Sequence, residues 1–236
     1  MKRFVIGDIH GGYHSLIQCL DRSHFNQEDK LIVLGDVCDG WPQTSECIDE
    51  LLKIKNLIFV IGNHDKWFLE WCKYGEAPDI WTKQGGWNTI RSYDKLNRAP
   101  PESHPKLIED SHLWYEEDSI LFLHGGFNRY DKLEEQSAYH IMWDRQLFYD
   151  ARDSHRNKRK RPLLMGTPNE KYKEVFIGHT TTWTFGSEVP TKYCEINNLD
   201  TGGGWEGKLT IMDLDTREWW QSDVVETLYP EEKGRR

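Results

Sequence analysis

The sequence predicts an α/β (α+β) fold, because short apolar runs alternate with segments whose apolar residues recur at helical spacing. The runs are rich in β-branched and aromatic residues with glycine close behind, which is typical of buried strands. Each run also ends beside a polar residue that is able to bind metal. The five runs are Phe4-Val5-Ile6, Leu31-Ile32-Val33-Leu34, Leu57-Ile58-Phe59-Val60-Ile61, Ile120-Leu121-Phe122-Leu123 and Val175-Phe176-Ile177. Ligands in layered α/β folds bind beyond the carboxyl ends of strands, so these ends predict one shared site.

Helices are predicted between the strands, at residues 14–22, 44–55 and 66–74. The three prolines within residues 98–106 predict a loop, and residues 209–214 predict a late strand. The charged stretch that begins at Glu226 is expected to fray. No internal repeat or linker interrupts this pattern, so residues 1–236 are predicted to form a single domain.

The composition is that of a soluble globular protein, with 37% hydrophobic and 29% charged residues. A net charge of -9 argues against a general nucleic-acid-binding protein and against a membrane-surface protein. No apolar run is long enough to span a bilayer, and Phe4-Val5-Ile6 is too short for the core of a secretory signal. Five scattered cysteines fit reduced thiols. We therefore expect a cytoplasmic protein that has no membrane partner.

Candidate metal ligands follow the ends of all five predicted strands. They are Asp8, His10, Asp36, Asn63, His124 and His179. Carboxylate, imidazole and amide ligands together suit divalent ions such as manganese, iron or zinc. Two such ions need an anionic bridge, which Asp36 can supply, and they make hydroxide available near neutral pH. A single Gly-Asp or Gly-His pair is more simply a turn, but five in the same context favour a two-metal site.

Five short motifs occur in a fixed order along the chain. They are Gly7-Asp8-Ile9-His10-Gly11, Gly35-Asp36-Val37-Cys38-Asp39-Gly40, Gly62-Asn63-His64-Asp65, His124-Gly125-Gly126 and Gly178-His179-Thr180. This order resembles the calcineurin-like metallophosphoesterase superfamily, and more narrowly its bacterial and phage serine/threonine phosphoprotein phosphatases. Weaker matches at residues 81–93, 143–145 and 198–202 extend the resemblance over residues 3–215. The resemblance implies a four-layer β-sandwich that is flanked by helices.

The resemblance also implies a role for each motif residue. It implies two overlapping ligand sets, Asp8, His10 and Asp36 for one metal and Asp36, Asn63, His124 and His179 for the other. His64 would protonate the leaving-group oxygen, and Asp65 would orient it. The alternative is that His64 also binds metal, although Asn63 already occupies the ligand position. Asn63 is a candidate for substrate binding as well.

The second motif departs from the phosphatase pattern at Gly40, where these phosphatases normally carry arginine. An arginine fork grips phosphate through two hydrogen bonds, and glycine cannot replace it. Arg145 resembles a second arginine of the family and is either a catalytic, phosphate-binding residue or part of a surface salt bridge. Lys66 is a weaker substitute. The absence of a second histidine after His179 favours phosphatases over phosphodiesterases.

Two further features bear on the substrate. Trp41 and Trp205 flank glycine-rich segments, where they either stack on a nucleobase, worth about 1–3 kcal/mol per base, or simply pack. The strongly basic residues 152–161 form either a solvated loop or a clamp for a polyanionic substrate.

The function we predict is a dinuclear-metal phosphatase that hydrolyses phosphate monoesters by means of a metal-bridging hydroxide. Its expected partner is a phosphorylated substrate, either a phosphoprotein or a nucleotide. Its expected cofactors are two divalent ions, manganese first and iron or zinc as alternatives. The alternative function is a hydrolase of nucleotides, dinucleoside polyphosphates or RNA ends. An inactive metal-binding interaction module is the third possibility, but the complete ligand set and His64 disfavour it.

Overall fold

The computed structural model describes residues 1–97, 99–158 and 161–235. Within these ranges the strands are β1 (Arg3–Ile6), β2 (Lys30–Val33), β3 (Asn56–Phe59), β4 (Trp114–Glu117), β5 (Ile120–Leu123), β6 (Glu174–Ile177), β7 (Thr191–Tyr193), β8 (Ile196–Asn198), β9 (Thr210–Asp213) and β10 (Trp219–Gln221). The α-helices are α1 (Tyr13–Arg22), α2 (Thr44–Leu51), α3 (Asn63–Tyr74), α4 (Asp79–Trp81), α5 (Trp87–Asp94), α6 (Ser103–Glu109), α7 (Ala138–Trp143), α8 (Gln146–Arg156) and α9 (Val225–Leu228). A π-helical turn at Thr82–Gly86 joins α4 to α5.

The strands form two five-stranded sheets, with the orders β10-β9-β1-β2-β3 and β4-β5-β6-β8-β7. The strands β1, β2 and β3 are parallel in the first sheet, as are β5, β6 and β8 in the second. Antiparallel strands lie outside them, β9 and β10 in the first sheet and β4 and β7 in the second. Because parallel strands end on the same side of a sheet, the loops after β1, β2, β3, β5 and β6 gather at one edge of the sandwich.

An apolar core fills the space between the two sheets. Val5 and Ile32 of the first sheet and Phe122 and Phe176 of the second belong to the same buried cluster. The rings of Phe122 and Phe176 stack with their centroids 5.3 Å apart. This shared core holds the two sheets, and hence the loops at their edge, in a fixed relation.

Helices cover the outer face of each sheet. Leu16 of α1 and Ile48 of α2 are buried behind the first sheet, and Phe148 of α8 is buried behind the second. The result is a four-layer sandwich of helices, two sheets and helices, and the predicted fold class is confirmed. No helix in the described ranges is long and apolar enough to cross a membrane.

The five predicted strands and the predicted helices are confirmed, but two predictions about irregular segments are wrong. Helix α6 begins at Ser103, inside the predicted loop, with Pro105 in its first turn. A proline there removes an N–H that has no helical partner in any case. The stretch after Glu226 does not fray, because Tyr229 is buried and donates a hydrogen bond from its hydroxyl to Gln43 Oε1 at 2.7 Å.

Candidate active site

The loops at the shared edge of the sheets contain strained turns. His10, Asp36, Asp39 and His179 have φ angles between 49° and 70°, a region that residues other than glycine rarely adopt. Strain of this kind persists only where the surrounding structure enforces it, and it clusters at functional sites. The approach of the loops is also close, because a Cβ on Gly62 would collide with Oδ1 of Asp36.

The structure brings the six predicted metal ligands together. Two groups of buried side chains each place their ligand atoms within 4.8 Å of one another, namely Asp8, His10 and Asp36, and Asp36, His124 and His179. Asp36 belongs to both groups. The sixth residue joins the second group, because Oδ1 of Asn63 lies 3.0 Å from Nε2 of His124.

Several buried nitrogen and oxygen atoms at the centre of these groups have no hydrogen-bond partner among the described residues. Oδ2 of Asp36 lies 3.6 Å from Nε2 of His10 and 3.3 Å from Nε2 of His124. Within the described part of the chain, neither this oxygen nor Nε2 of His179 has an aligned hydrogen-bond partner. Leaving buried polar atoms unpaired is costly, and bound cations would satisfy them. The donor set therefore fits a pair of divalent metal ions.

Backbone carbonyl groups orient two of the imidazole rings. Nδ1 of His10 lies 2.9 Å from the carbonyl oxygen of Cys38, and Nδ1 of His124 lies 2.7 Å from that of Leu34. An Nδ1–H group that donates to a carbonyl leaves the lone pair of Nε2 available for a metal ion. Cys38 itself is buried in the apolar core.

Negative charge is concentrated in this site. Burial raises the pKa of Asp8 well above its ordinary value, and the neighbouring Asp200 raises it further. Burial would also raise the pKa of Asp36, but neighbouring imidazoles, that of His124 first, outweigh it and hold that pKa low. Burial lowers the pKa of His124, yet Asp36 raises it to about 9. Carboxylates packed this closely require positive charge nearby, which divalent ions supply.

His64 lies in the first turn of α3 and pairs with Asp39. Its Nδ1 atom lies 2.6 Å from Oδ2 of Asp39, and both residues are buried. Asp39 also accepts hydrogen bonds from Nε1 of Trp81 at 2.8 Å and from the hydroxyl of Thr89 at 2.7 Å. Nε2 of His64 is buried and has no partner among the described residues.

The protonation of this pair follows from its burial. Burial lowers the pKa of His64 to about 3 and raises the pKa of Asp39 to about 8. Burial thus favours the neutral form of the pair, in which one proton lies in the Nδ1···Oδ2 hydrogen bond and the other on Nε2. The proton on Nε2 is available to a leaving group.

Asp65 does not orient His64, and that prediction is wrong. Its carboxylate accepts hydrogen bonds from four backbone N–H groups at 2.7–3.2 Å. The donors belong to Asp36, Val37, Cys38 and Gly62. Adjacent residues on a helix point about 100° apart, so Asp65 turns away from the imidazole and into the loop that follows β2. It fixes that loop against the start of α3.

Arg145 lies beside the second ligand group. Its Nη1 atom donates to the carbonyl oxygen of His179 at 2.5 Å and to the hydroxyl of Thr180 at 3.2 Å. These contacts hold Arg145 at the loop after β6 rather than in a surface salt bridge. Lys66 is exposed and pairs with Glu70 at 3.4 Å along α3, so its ammonium group lies outside the site.

Trp41 does not offer a face to substrate, so its assignment to substrate binding is wrong and the alternative of simple packing holds. Its side chain is buried, its Nε1 atom donates to the carbonyl oxygen of Gly203 at 2.8 Å, and its ring stacks on Tyr229. The aromatic residues beside the site are instead half-buried. The ring of Trp67 lies 5.0 Å from that of His64, and the ring of Trp143 lies 5.8 Å from that of His179.

The basic segment is only partly a loop. Residues 152–156 belong to α8, and the guanidinium of Arg152 packs over the ring of Phe185 at 4.4 Å. Arg159 and Lys160 lie outside the described residues. Arg152 is thus engaged in packing rather than in a clamp.

Two residues without a predicted role contact the site. Asp39 has a signal in the sequence, since it lies inside the second motif. Arg235 has none, because it lies in the charged stretch that was expected to fray. Its Nη1 atom lies 3.0 Å from Nε2 of His10.

Paired ligand groups at the edge of a double sheet, with a histidine beside them, define a metal-dependent phosphoric ester hydrolase. Comparison with known proteins supports this conclusion. The model of the calcineurin-like phosphoesterase family matches residues 1–201, so the chain belongs to that family. The family uses a dinuclear divalent metal centre, and the two ligand groups fit such a centre.

The chain is similar to relatives with different names. It is 33% identical over 217 residues to serine/threonine-protein phosphatase 1 of Salmonella typhimurium, covering 88% of this chain and 89% of the relative. It is 25% identical over 264 residues to a symmetrical bis(5'-nucleosyl)-tetraphosphatase of Coxiella burnetii, covering 91% of this chain and 89% of the relative.

Solved structures share the fold. A metallophosphoesterase from Sphaerobacter thermophilus superposes with a TM-score of 0.57 at 17% identity, over 95% of this chain and 89% of the other. A cold-active protein-tyrosine phosphatase from a Shewanella species superposes with a TM-score of 0.59 at 14% identity, over 94% of this chain and 80% of the other.

Proposed function

We propose that the chain is a phosphomonoesterase that hydrolyses phosphorylated serine and threonine side chains of proteins. The observation that carries this choice is the burial of Trp41, which leaves that ring no free face for the nucleobase of the alternative substrates. The identity of 33% to the Salmonella phosphatase over most of both chains supports the same choice.

The residues that would hold the metals are the two overlapping ligand groups together with Asn63. When bound, two divalent ions would bind phosphoryl oxygens and lower the pKa of the attacking water. We propose manganese as the working metal, because the carboxylate oxygens of Asp8 and Asp36 and the amide oxygen of Asn63 suit it. Asp8 and Asp36 would supply part of the negative charge that offsets the ions.

His64 would act as the general acid. Asp39 holds its Nδ1 atom at 2.6 Å, which leaves Nε2 to face the leaving-group oxygen. A serine alkoxide is a poor leaving group, so protonation of this kind is expected to contribute about 10²–10⁴ in rate. Arg145, held at the loop of His179, would bind a phosphoryl oxygen through its remaining N–H groups.

A second candidate is hydrolysis of dinucleoside polyphosphates. One observation favours it, an aromatic surface beside the site that consists of Trp67, Trp143 and Tyr139. Tyr139 stacks on Trp143 with ring centroids 5.8 Å apart and is 70% exposed. A nucleobase could stack there, and stacking contributes about 1–3 kcal/mol per base.

The ratio of kcat/KM values for a phosphothreonine peptide and diadenosine tetraphosphate separates the two candidates. It should be measured on the manganese-loaded enzyme and on Tyr139→Ala, with Tyr130→Ala as a control for another exposed tyrosine. We expect the peptide to be preferred and the ratio to stay the same in both variants. A preference for the dinucleotide that Tyr139→Ala alone removes would overturn the proposal in favour of the second candidate.

A further inference from the structure

The guanidinium of Arg235 lies in the active site, although the residue lies at the far end of the described chain. Its Nη1 atom is 3.0 Å from Nε2 of His10, a residue of the first ligand group. Its Nε atom is buried and has no hydrogen-bond partner within residues 1–97, 99–158 and 161–235. A buried guanidinium donor without an acceptor is unfavourable, so this position calls for an anion.

The side chain of Arg235 crosses the space above Gly40. A Cβ atom on Gly40 would lie 3.2 Å from Cγ of Arg235 and 3.1 Å from Cβ of His10. Gly40 also has a φ of 97°, which strains any other residue. Gly40 stands where the second motif of these phosphatases carries an arginine. The side chain of Arg235 therefore enters the site over the position that lacks that arginine.

The segment that carries Arg235, residues 225–235, is held firmly to the rest of the protein. Tyr229 stacks on the buried ring of Trp41 with centroids 5.1 Å apart. The backbone N–H of Arg235 donates to the carbonyl oxygen of Gly204 at 3.0 Å, and its guanidinium lies 4.9 Å from the ring centre of Trp205. Aromatic stacking of this kind holds the planar guanidinium in one orientation.

Ion pairs and a backbone contact fix the middle of the same segment. Glu232 pairs with Arg91 and Lys95 of the α5 region, both at 3.3 Å. Nδ2 of Asn88 donates to the carbonyl oxygen of Lys233 at 3.2 Å. These contacts of residues 225–235 with the rest of the protein therefore hold Arg235 in the site.

We propose that Arg235 binds the phosphate group of the substrate, in place of an arginine at position 40. Arg145 lies beside His179 in the second ligand group, and Arg235 lies beside His10 in the first, so the two guanidinium groups border the site on different sides. A metal ion on Nε2 of His10 would take the place of Nη1 at that atom and repel the guanidinium, and a phosphate bound between the two supplies the anion that holds it. The proposal rests on the phosphatase function proposed above.

The test compares Arg235→Ala, Arg235→Lys and Lys233→Ala in the whole, manganese-loaded chain. Lys233 is exposed, and its carbonyl group, not its ammonium, contacts Asn88, so it serves as the control. The dissociation constant of inorganic phosphate is measured by calorimetry, and kcat/KM is measured with p-nitrophenyl phosphate. Metal content and thermal melting show whether each variant is folded and loaded.

We expect Arg235→Ala to weaken phosphate binding and to lower kcat/KM by about 10- to 100-fold, the effect of losing a charge-assisted hydrogen bond. The phosphate affinity and kcat/KM of Arg235→Lys should lie between those of Arg235→Ala and the wild type, because lysine keeps the positive charge but not the paired N–H donors of the guanidinium. Lys233→Ala should match the wild type. Metal content should be the same in all four proteins.

Unchanged phosphate affinity in a folded, metal-loaded Arg235→Ala protein would overturn the proposal. Tighter phosphate binding or faster turnover would overturn it too, because the segment would then obstruct the site. If the enzyme hydrolyses neither phosphopeptide nor dinucleotide, the proposed function fails, but the phosphate affinity still decides the role of Arg235.

Discussion

Nδ1 of His64 lies 2.6 Å from Oδ2 of Asp39, so the loop after β2 and the first turn of α3 meet in one buried hydrogen bond. Trp81 and Thr89 complete the hydrogen bonds of that carboxylate. The imidazole is therefore oriented from the loop, not from its own helix. This arrangement separates the role of Asp39 from that of Asp65, and each role can be tested.

His64→Asn is expected to lower kcat by about 10²–10⁴ on substrates with poor leaving groups. The loss should be smaller on p-nitrophenyl phosphate, whose leaving group needs little protonation. Asp39→Asn should act in the same direction, because it loosens the imidazole. The measurement is kcat against leaving-group pKa, with metal content determined in parallel. Loss of metal from His64→Asn would mean that His64 is a ligand.

Asp65→Asn is expected to behave differently. It weakens the acceptor of four backbone N–H groups, so we expect a loss of roughly 1–3 kcal/mol in the free energy of unfolding and weaker metal binding. Denaturant titration and metal analysis measure both effects. The dependence of kcat on leaving-group pKa should be the same as in the wild type. A dependence that instead follows His64→Asn would argue that Asp65 acts on the proton donor.

Asp36→Asn removes the charge shared by the two ligand groups. Mutation of a residue that only hydrogen-bonds to a metal ligand typically lowers metal affinity by about 10–100-fold. Because Asp36 is itself a proposed ligand, we expect a loss of metal affinity at least as large, and activity should fall with it. Chelation should abolish activity in the wild type, and manganese should restore it. Asp110→Asn, at an exposed carboxylate paired with Lys106, is the control. Turnover by metal-free protein would refute the metal mechanism.

The motifs predicted the ligands because each one places a ligand one to four residues beyond the end of a strand. Local sequence determines such turns, and the parallel strands then bring them together. The prediction for Asp65 is wrong because adjacency in sequence is not contact: helical rotation separates Asp65 from His64. Trp41 and Arg235 were beyond prediction because their positions depend on how residues 225–235 pack. No local pattern encodes a contact across 225 residues, such as that between Arg235 and His10.

Trp41→Ala is expected to destabilise the protein by about 3–5 kcal/mol, the usual cost of removing a buried aromatic side chain. It should also release residues 225–235, because Tyr229 loses its stacking partner. Activity should then fall on peptide and dinucleotide substrates alike. Thermal melting, limited proteolysis and the substrate ratio check these outcomes, with Trp87→Ala as a control for an exposed tryptophan. A selective loss of dinucleotide activity would mean that Trp41 contacts the base.

The last prediction concerns an ion-pair network between the two sheets. Glu117 of β4 accepts hydrogen bonds from Arg3 of β1 at 2.7 Å and from Lys30 of β2 at 2.5 Å. Burial would raise the pKa of Glu117, but hydrogen bonds from Lys30, Tyr115 and Arg3 outweigh it and lower that pKa to about 2. Since the pKa is lower in the folded state, the ionised carboxylate stabilises the fold above its ordinary value of 4.5.

That stabilisation is expected to disappear as the pH falls from about 4.5 to about 2. Glu117→Gln should therefore be less stable than the wild type by about 1–2 kcal/mol at pH 7, and the difference should vanish near pH 2. Urea titrations of both proteins across this range measure the difference. Glu109→Gln, at an exposed carboxylate paired with Lys73, should differ very little from the wild type in free energy of unfolding. A difference that persists at pH 2 would mean that Glu117 acts through shape rather than charge, because protonation removes the charge but leaves the side chain in place.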